Sequence, residues 1–182
     1  EEISGDTGAD LKRRMRTGTV VTTDDRNWEL RYSKSALRFS QSRAALSADD
    51  GVRCIVVRGA GERAFSPGND IAEFATERAN KAQAVEYGKV MHRTAEAFVQ
   101  CRHPLVAQIH GICVGGGLEI AALCDLRICG TSSRFGAPIK NLGLVMAYPE
   151  MAPLVRLAGA AVALEILLEG RIFDAVEAKE KG

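Results

Sequence analysis

The passage LVAQI (105–109), then Gly111-Ile-Cys-Val-Gly115-Gly116-Gly117, then LEIAALCD (118–125) reads as a strand, a glycine turn and a short apolar helix. Three consecutive glycines let the chain turn sharply and bring its backbone close to a ligand. They directly precede a helix start, where N–H groups have no intrahelical partner and the helix dipole adds positive potential. An oxygen that gains negative charge during a reaction is stabilised at such a spot. The same pattern also serves as a tight turn packed against a neighbour. Glu119 falls in the first turn of this helix, where an acidic group complements the dipole. A carboxylate beside an oxyanion site can also move a proton to or from carbon or water.

A second loop, Ala64-Phe-Ser-Pro-Gly-Asn-Asp70, follows a strand and can supply a further N–H to the same space. Alone it is a loop, with Asp70 a possible N-cap for the next helix. Gly111, Gly115, Gly116 and Gly117 do not spell the dinucleotide fingerprint G-x-G-x-x-G, and there is no Walker motif. His92, His103 and His110 stand beside no Ser or Cys nucleophile motif, so neither a catalytic triad nor a metal site is expected.

These groups need elements to hold them. VRCIVVRG (52–59) reads as a buried strand, GAGERAFSPGND as a loop, and 77–101 as an amphipathic helix with apolar Val85, Met91, Ala95, Phe98 and Val99. TGTVVTT (17–23) and LRICG (126–130) read as strands, 131–150 as loop, and Met151 to about Gly170 as helix. Asp174-Ala-Val-Glu177 resembles a capping box, with Gly182 suited to the C′ position. Residues 1–16 read as frayed, and 24–45 show no clean period. The alternation of strand and helix from 52 onward predicts an α/β class and a single domain over 1–182.

Composition narrows the function classes. The 182 residues carry 24 Lys+Arg against 23 Asp+Glu, a net charge of +1. No overall basic field draws nucleic acid or an anionic membrane, so an anionic ligand must be held by local geometry. The five cysteines lack metal-site or redox spacing, and four lie in apolar runs, which predicts reduced, buried thiols and a cytoplasmic setting. The apolar window Leu105–Cys129 contains Glu119, Asp125 and Arg127 and does not read as a membrane span.

Taken together and in order, AFSPGNDIAEF (64–74), HPLVAQIHGICVGGGLEIAALCDLRIC (103–129), FGAPIKNLGL (135–144) and LVRLAGAAVALEILLEGRIFDAVEAKEKG (154–182) resemble the enoyl-CoA hydratase/isomerase (crotonase) family over about residues 52–182. The resemblance implies a spiral of ββα units without the family's C-terminal helical region, assembled as a homotrimer or dimer of trimers. It implies an acyl-CoA thioester as substrate, in fatty acid metabolism, with no separate cofactor. The backbone N–H groups of Asn69 and Gly116 fall on the family's oxyanion hole, and Glu119 on its first catalytic glutamate. Ala64, Ser66, Pro67, Gly68, Asn69, Asp70, Ile71, Gly115, Gly116, Pro138, Ile139, Leu144 and Ala147 fall on the substrate-binding positions.

The chain also departs from the family pattern. Ile139 stands where the hydratases carry a second glutamate, and Ile cannot transfer a proton. The glycine-rich segment after L-G is replaced by LVMAYPEMAP (144–153), where Glu150 can supply a substitute carboxylate. Ala72 stands where a basic residue is frequent, and the P-x-x-x-N-A segment is missing from 20–45. The expected activity is therefore a lyase or isomerase acting through Glu119. The alternatives are decarboxylation or thioester hydrolysis on the same fold, or an acyl-CoA binder with impaired catalysis.

Overall fold

The computed structural model of the chain describes residues 19–23, 46–59, 61, 63–69 and 71–182. In chain order the strands are β1 (Thr19–Thr23), β2 (Ile55–Gly59), β3 (Ala64–Ser66), β4 (Leu105–Ile109), β5 (Ile112–Val114), β6 (Leu126–Cys129), β7 (Arg134–Gly136) and β8 (Phe173–Asp174). The helices are α1 (Phe74–Glu77), α2 (Lys81–Val99), α3 (Gly116–Leu123), α4 (Tyr148–Glu169) and α5 (Ala175–Glu180). Two four-stranded sheets result, in the orders β1-β2-β4-β6 and β3-β5-β7-β8. The first is wholly parallel. In the second, β3, β5 and β7 run parallel and β8 returns antiparallel to β7.

The connections repeat. β2, β4 and β6 each lie in the first sheet, and each is followed by one strand of the second sheet and then by helix. This is the α/β spiral of ββα units that the sequence implied. Parallel neighbours need long crossovers, and the helices supply them.

β2 and β4 alternate buried with half-buried residues. Ile55, Val57, Leu105, Ala107 and Ile109 meet Leu46, Phe65, Cys113 and Phe135 in one core. Their β-branched, apolar runs are what a sheet covered on both faces selects.

Three expectations need correction. β3, β5 and β7 lie in stretches read as loop or turn. Each has only three residues, too few to show a period, and each is held by long-range pairing such as Ser66 with Cys113 and Cys113 with Phe135. Helix α2 begins at Lys81 rather than 77, because the Asn80 side chain caps it by accepting from Gln83 N–H. Its buried stripe is Met91, Thr94, Ala97 and Phe98, while Val85 and Val99 are 52% and 61% exposed. Of the five cysteines, all free, only Cys113 and Cys124 are buried, and Cys129 is exposed. The expectations for 1–16 and 24–45, and those for Thr17, Gly18 and Asp70, lie outside the described residues.

Helix α4 is long and apolar enough to cross a membrane by composition, with a mean hydropathy of 1.8. Gly159 interrupts it, at φ 81° and ψ 162°, so it is two helical segments joined at a kink. The tail behaves as its capping signal predicted. Asp174 accepts from Val176 and Glu177 N–H, and Gly182 takes φ +97°. Arg171 ties Glu165, Glu169 and Glu177 together, and Lys181 joins Glu165 at 2.7 Å. Phe173 stacks on Phe135 at 6.0 Å, fastening β8 to β7.

Two glycines give a matched test of this packing. A Cβ at Gly59 would lie 2.0 Å from the Ala64 carbonyl oxygen, whereas one at Gly88 meets nothing within 4 Å. Gly59→Ala is expected to destabilise the fold by about 3 kcal/mol. Gly88→Ala, inside α2, is expected to stabilise it by about 0.5–1 kcal/mol. Urea unfolding of the two variants measures both.

Candidate active site

Helix α3 starts on a backbone that only glycine tolerates. Gly115 sits at φ +54° and ψ −124°, and its N–H donates to Gly136 O on β7 at 2.9 Å. Gly117 lies so close to β3 that a Cβ there would stand 2.3 Å from Ser66 O. Gly68, at φ +97°, is pressed against the same turn. A Cβ on it would lie 3.0 Å from Val114 O and 3.1 Å from Gly116 N. Ser66 Oγ accepts from Gly68 N–H at 3.3 Å and closes the loop. The two glycine-bearing segments that the sequence singled out are therefore in backbone contact, although β4, α2 and their connections separate them along the chain.

The first intrahelical bond of α3 runs from Glu119 N–H to Gly115 O at 3.2 Å. The N–H groups of Gly116, Gly117 and Leu118 precede it and have no helical acceptor. Among the described residues, neither Gly116 N–H nor Asn69 N–H is spent on another hydrogen bond. Two free donors on touching segments, one at a helix start, can stabilise one oxygen that gains charge. Sequence reasoning treated Asn69 as a backbone donor only. Its side-chain Oδ1 is also buried without a partner among the described residues.

Glu119 projects from the first turn of α3 and is 8% exposed. Burial pushes its carboxyl well above the usual range, and the charge of Glu150 adds to the rise. Glu150 thus lies within electrostatic reach of Glu119. It sits in the first turn of α4, and its Oε2 accepts from Ala147 N–H at 3.3 Å. Ile139 is half-buried in the 3-10 turn Pro138–Leu142 that leads to this helix. Leu144 is half-buried and Ala147 exposed. Ala64 and Ser66 stand on β3, Pro67 is exposed at the turn, and Ile71, opening the 3-10 turn Ile71–Glu73, is 56% exposed.

Among the described residues the other reactive groups of this helix are not set up for chemistry. Burial pushes the Cys124 thiol up to about 12, so it is a poor nucleophile. Among the described residues no group of three or more His, Cys, Asp or Glu is placed to hold a metal ion. Surface cavities of about 580 and 290 Å³ lie at the tail and at the far end of α3, and neither is lined by Asn69, Gly116 or Glu119.

Residues 37–182 match the model of the enoyl-CoA hydratase/isomerase family. The chain belongs to that family. The match takes in every residue of the site and starts upstream of residue 52, where the motifs first showed it. Similar relatives include a Bacillus subtilis protein named "Probable enoyl-CoA hydratase", 37% identical over 136 residues, covering 74% of this chain and 51% of the relative. The peroxisomal Delta(3,5)-Delta(2,4)-dienoyl-CoA isomerase of Arabidopsis thaliana is 29% identical over 156 residues, with 80% and 56% covered. Among solved structures, an enoyl-CoA hydratase/carnithine racemase from Magnetospirillum magneticum superposes with a TM-score of 0.85 at 44% identity. That superposition covers 91% of this chain and 63% of the other. The chain thus spans about half the length of the curated relatives it matches.

The buried carboxyl of this enoyl-CoA hydratase/isomerase relative has a measurable consequence. With its affinity for protons raised in the folded state, Glu119 contributes stability that is fully present below the ordinary carboxylate value. That contribution is lost as pH rises towards the raised one, because the unfolded chain then ionises first. Glu119→Gln removes the penalty. The stability of Glu119→Gln relative to the unsubstituted chain is therefore expected to increase as pH rises from about 4.3. Urea unfolding at pH 5 and pH 8 reads this directly, and an offset that does not change with pH would contradict it.

Proposed function

We propose that this chain binds an acyl-CoA thioester, polarises its carbonyl between the N–H groups of Asn69 and Gly116, and moves a proton with Glu119. The observation that carries this is the contact between the Gly68 and Gly115–Gly117 segments, with a buried carboxyl one turn along the same helix. The names of the relatives, hydratases and an isomerase of CoA esters, point the same way.

Polarisation makes the carbon next to the carbonyl acidic. Ionised Glu119 takes a proton from that carbon, and the electron pair moves onto the thioester oxygen. The two N–H groups stabilise the resulting enolate. Glu119, now protonated, returns the proton to the γ-carbon as the double bond shifts. Burial serves this cycle, because a carboxyl with raised proton affinity is a better proton acceptor and can return the proton it takes. Ile139 contributes no proton transfer.

Glu150 favours a second reading, hydration. A second carboxylate within electrostatic reach of Glu119 can orient a water molecule for addition to the β-carbon of an enoyl ester. Glu150 takes a proton from that water as its oxygen bonds to the β-carbon. The electron pair of the double bond moves through the α-carbon onto the thioester oxygen, and protonated Glu119 delivers its proton to the α-carbon as the carbonyl re-forms. The whole protein would be an acyl-CoA lyase or isomerase acting on a CoA ester without a further cofactor, and as a homotrimer or dimer of trimers.

An NMR time course of a short trans-enoyl-CoA in heavy water separates the two. Deuterium entering the chain or a shifted double bond, without a 3-hydroxyacyl product, is the expected outcome for proton transfer by Glu119. Appearance of the 3-hydroxyacyl ester assigns hydration, and Glu150→Gln should then abolish it. In either case Glu119→Gln should lower kcat by about 10²–10⁴-fold while the ester still binds. Unchanged turnover in that variant would refute the assignment.

A further inference from the structure

The far end of α3 is fastened as firmly as its catalytic end, and one side chain does most of this. The guanidinium of Arg127, on β6, donates from Nη1 to Cys124 O at 2.7 Å and to Ala121 O at 3.3 Å, and from Nη2 to Asp125 O at 3.4 Å. Ala121 O also accepts from Cys124 N–H at 3.3 Å, whereas Cys124 O and Asp125 O lie at and just beyond the C-terminal end of the helix, where acceptors run out of intrahelical donors. Asp125 completes the fastening by pairing with β4. Its N–H donates to Leu105 O at 2.9 Å, and its Oδ2 accepts from Leu105 N–H at 2.7 Å.

We propose that Arg127 is a positioning residue for the oxyanion donors and Glu119, acting through α3. The inference rests on the function proposed above. Helix α3 has only eight residues, about 12 Å of length, and no side chain caps its start. Its body is buried in the core, and hydrogen bonds and close backbone contacts at its two ends fix its remaining freedom to tilt and turn. The start is held by glycine contacts with Ser66 and Gly136. The other end is held by Arg127 and Asp125, which join it to the first sheet. A planar guanidinium binds two carbonyls in a fixed fork, which an ammonium cannot copy. Its charge also faces the negative end of the helix dipole, in line with the positive end that meets the substrate oxygen. Releasing this end lets Gly116 N–H and Glu119 drift from the reacting atoms, and errors of about 1 Å cost up to about 10²-fold in rate.

The test reads the bound carbonyl itself. Butyryl-CoA labelled with ¹³C at the carbonyl, a saturated ester that cannot be hydrated, is bound in excess. Isotope-edited infrared spectroscopy then reports the carbonyl stretching frequency. The unsubstituted chain should lower it relative to free ester. Arg127→Met should lose at least half of that lowering, and Arg127→Lys should fall between the two. On an enoyl ester, Arg127→Met should lower kcat tenfold or more with KM little changed. A purely structural role would reduce the amount of folded protein but leave the frequency of bound ester where it was. An undiminished shift in Arg127→Met overturns the proposal. If that variant does not fold, an undiminished shift in both Arg127→Lys and Asp125→Asn does so. Absence of any shift in the unsubstituted chain instead defeats the oxyanion reading on which the proposal stands.

Discussion

The backbone of β3 runs so close to the start of α3 that no side chain fits between them. Ser66 O would stand 2.3 Å from a Cβ at residue 117, and Gly116 N would stand 3.1 Å from one at residue 68. Most of the structure can be read as the means of maintaining that approach. β3, β5 and β7 are too short to be stable ribbons by themselves, yet their pairing fixes the height of the two glycine turns. The longer parallel strands of the first sheet hold the two connections in register. Gly68, Gly115 and Gly117 are then conformational requirements, since any Cβ would force the segments apart or demand a backbone that L-residues rarely adopt.

From that approach follows the electrostatics. The chain has a net charge of +1, so its field does not distinguish one anion from another. In the proposed function, discrimination is local, from a helix start and the N–H groups of Asn69 and Gly116, which meet no other acceptor among the described residues. Burial raises the proton affinity of Glu119, with a smaller contribution from Glu150. A carboxylate ordinarily ionised at neutral pH is thereby made able to give a proton as well as take one. In the proposed site one donor, Gly116 N–H, and the proton carrier, Glu119, share one eight-residue helix, while the other donor, Asn69 N–H, comes from the loop pressed against its start.

Much of the site was legible in the sequence, and the physical reasons are specific. Gly115–Gly117 followed by a turn of helix leaves few other backbone solutions, and Glu119 is tied to that turn by helical spacing. The β-branched runs at 55–59 and 105–109 declare buried strands. What stayed hidden depends on contacts between distant segments. Ala64–Ser66 is a strand only because Ile112–Val114 lies beside it. Met91 and Phe98 of the apolar stripe are buried as read, but packing adds Thr94 and Ala97 to them and leaves Val85 and Val99 exposed. The reach of Glu150 to Glu119 depends on where the 3-10 turn after Pro138 delivers α4. Arg127 reaches the carbonyls of Ala121, Cys124 and Asp125 only because β6 returns beside the end of α3, a contact that the sequence pattern does not show.

The central claim is that a thioester oxygen sits between Asn69 N–H and Gly116 N–H. Amide NMR spectra of the ¹⁵N-labelled chain, titrated with butyryl-CoA and separately with the S-butyl thioether of CoA, test it directly, because the two ligands differ only by the carbonyl oxygen. The amide protons of Asn69 and Gly116 are expected to move downfield with the thioester and not with the thioether. Equal responses to the two ligands, or no response at either amide while the thioester binds, would contradict it.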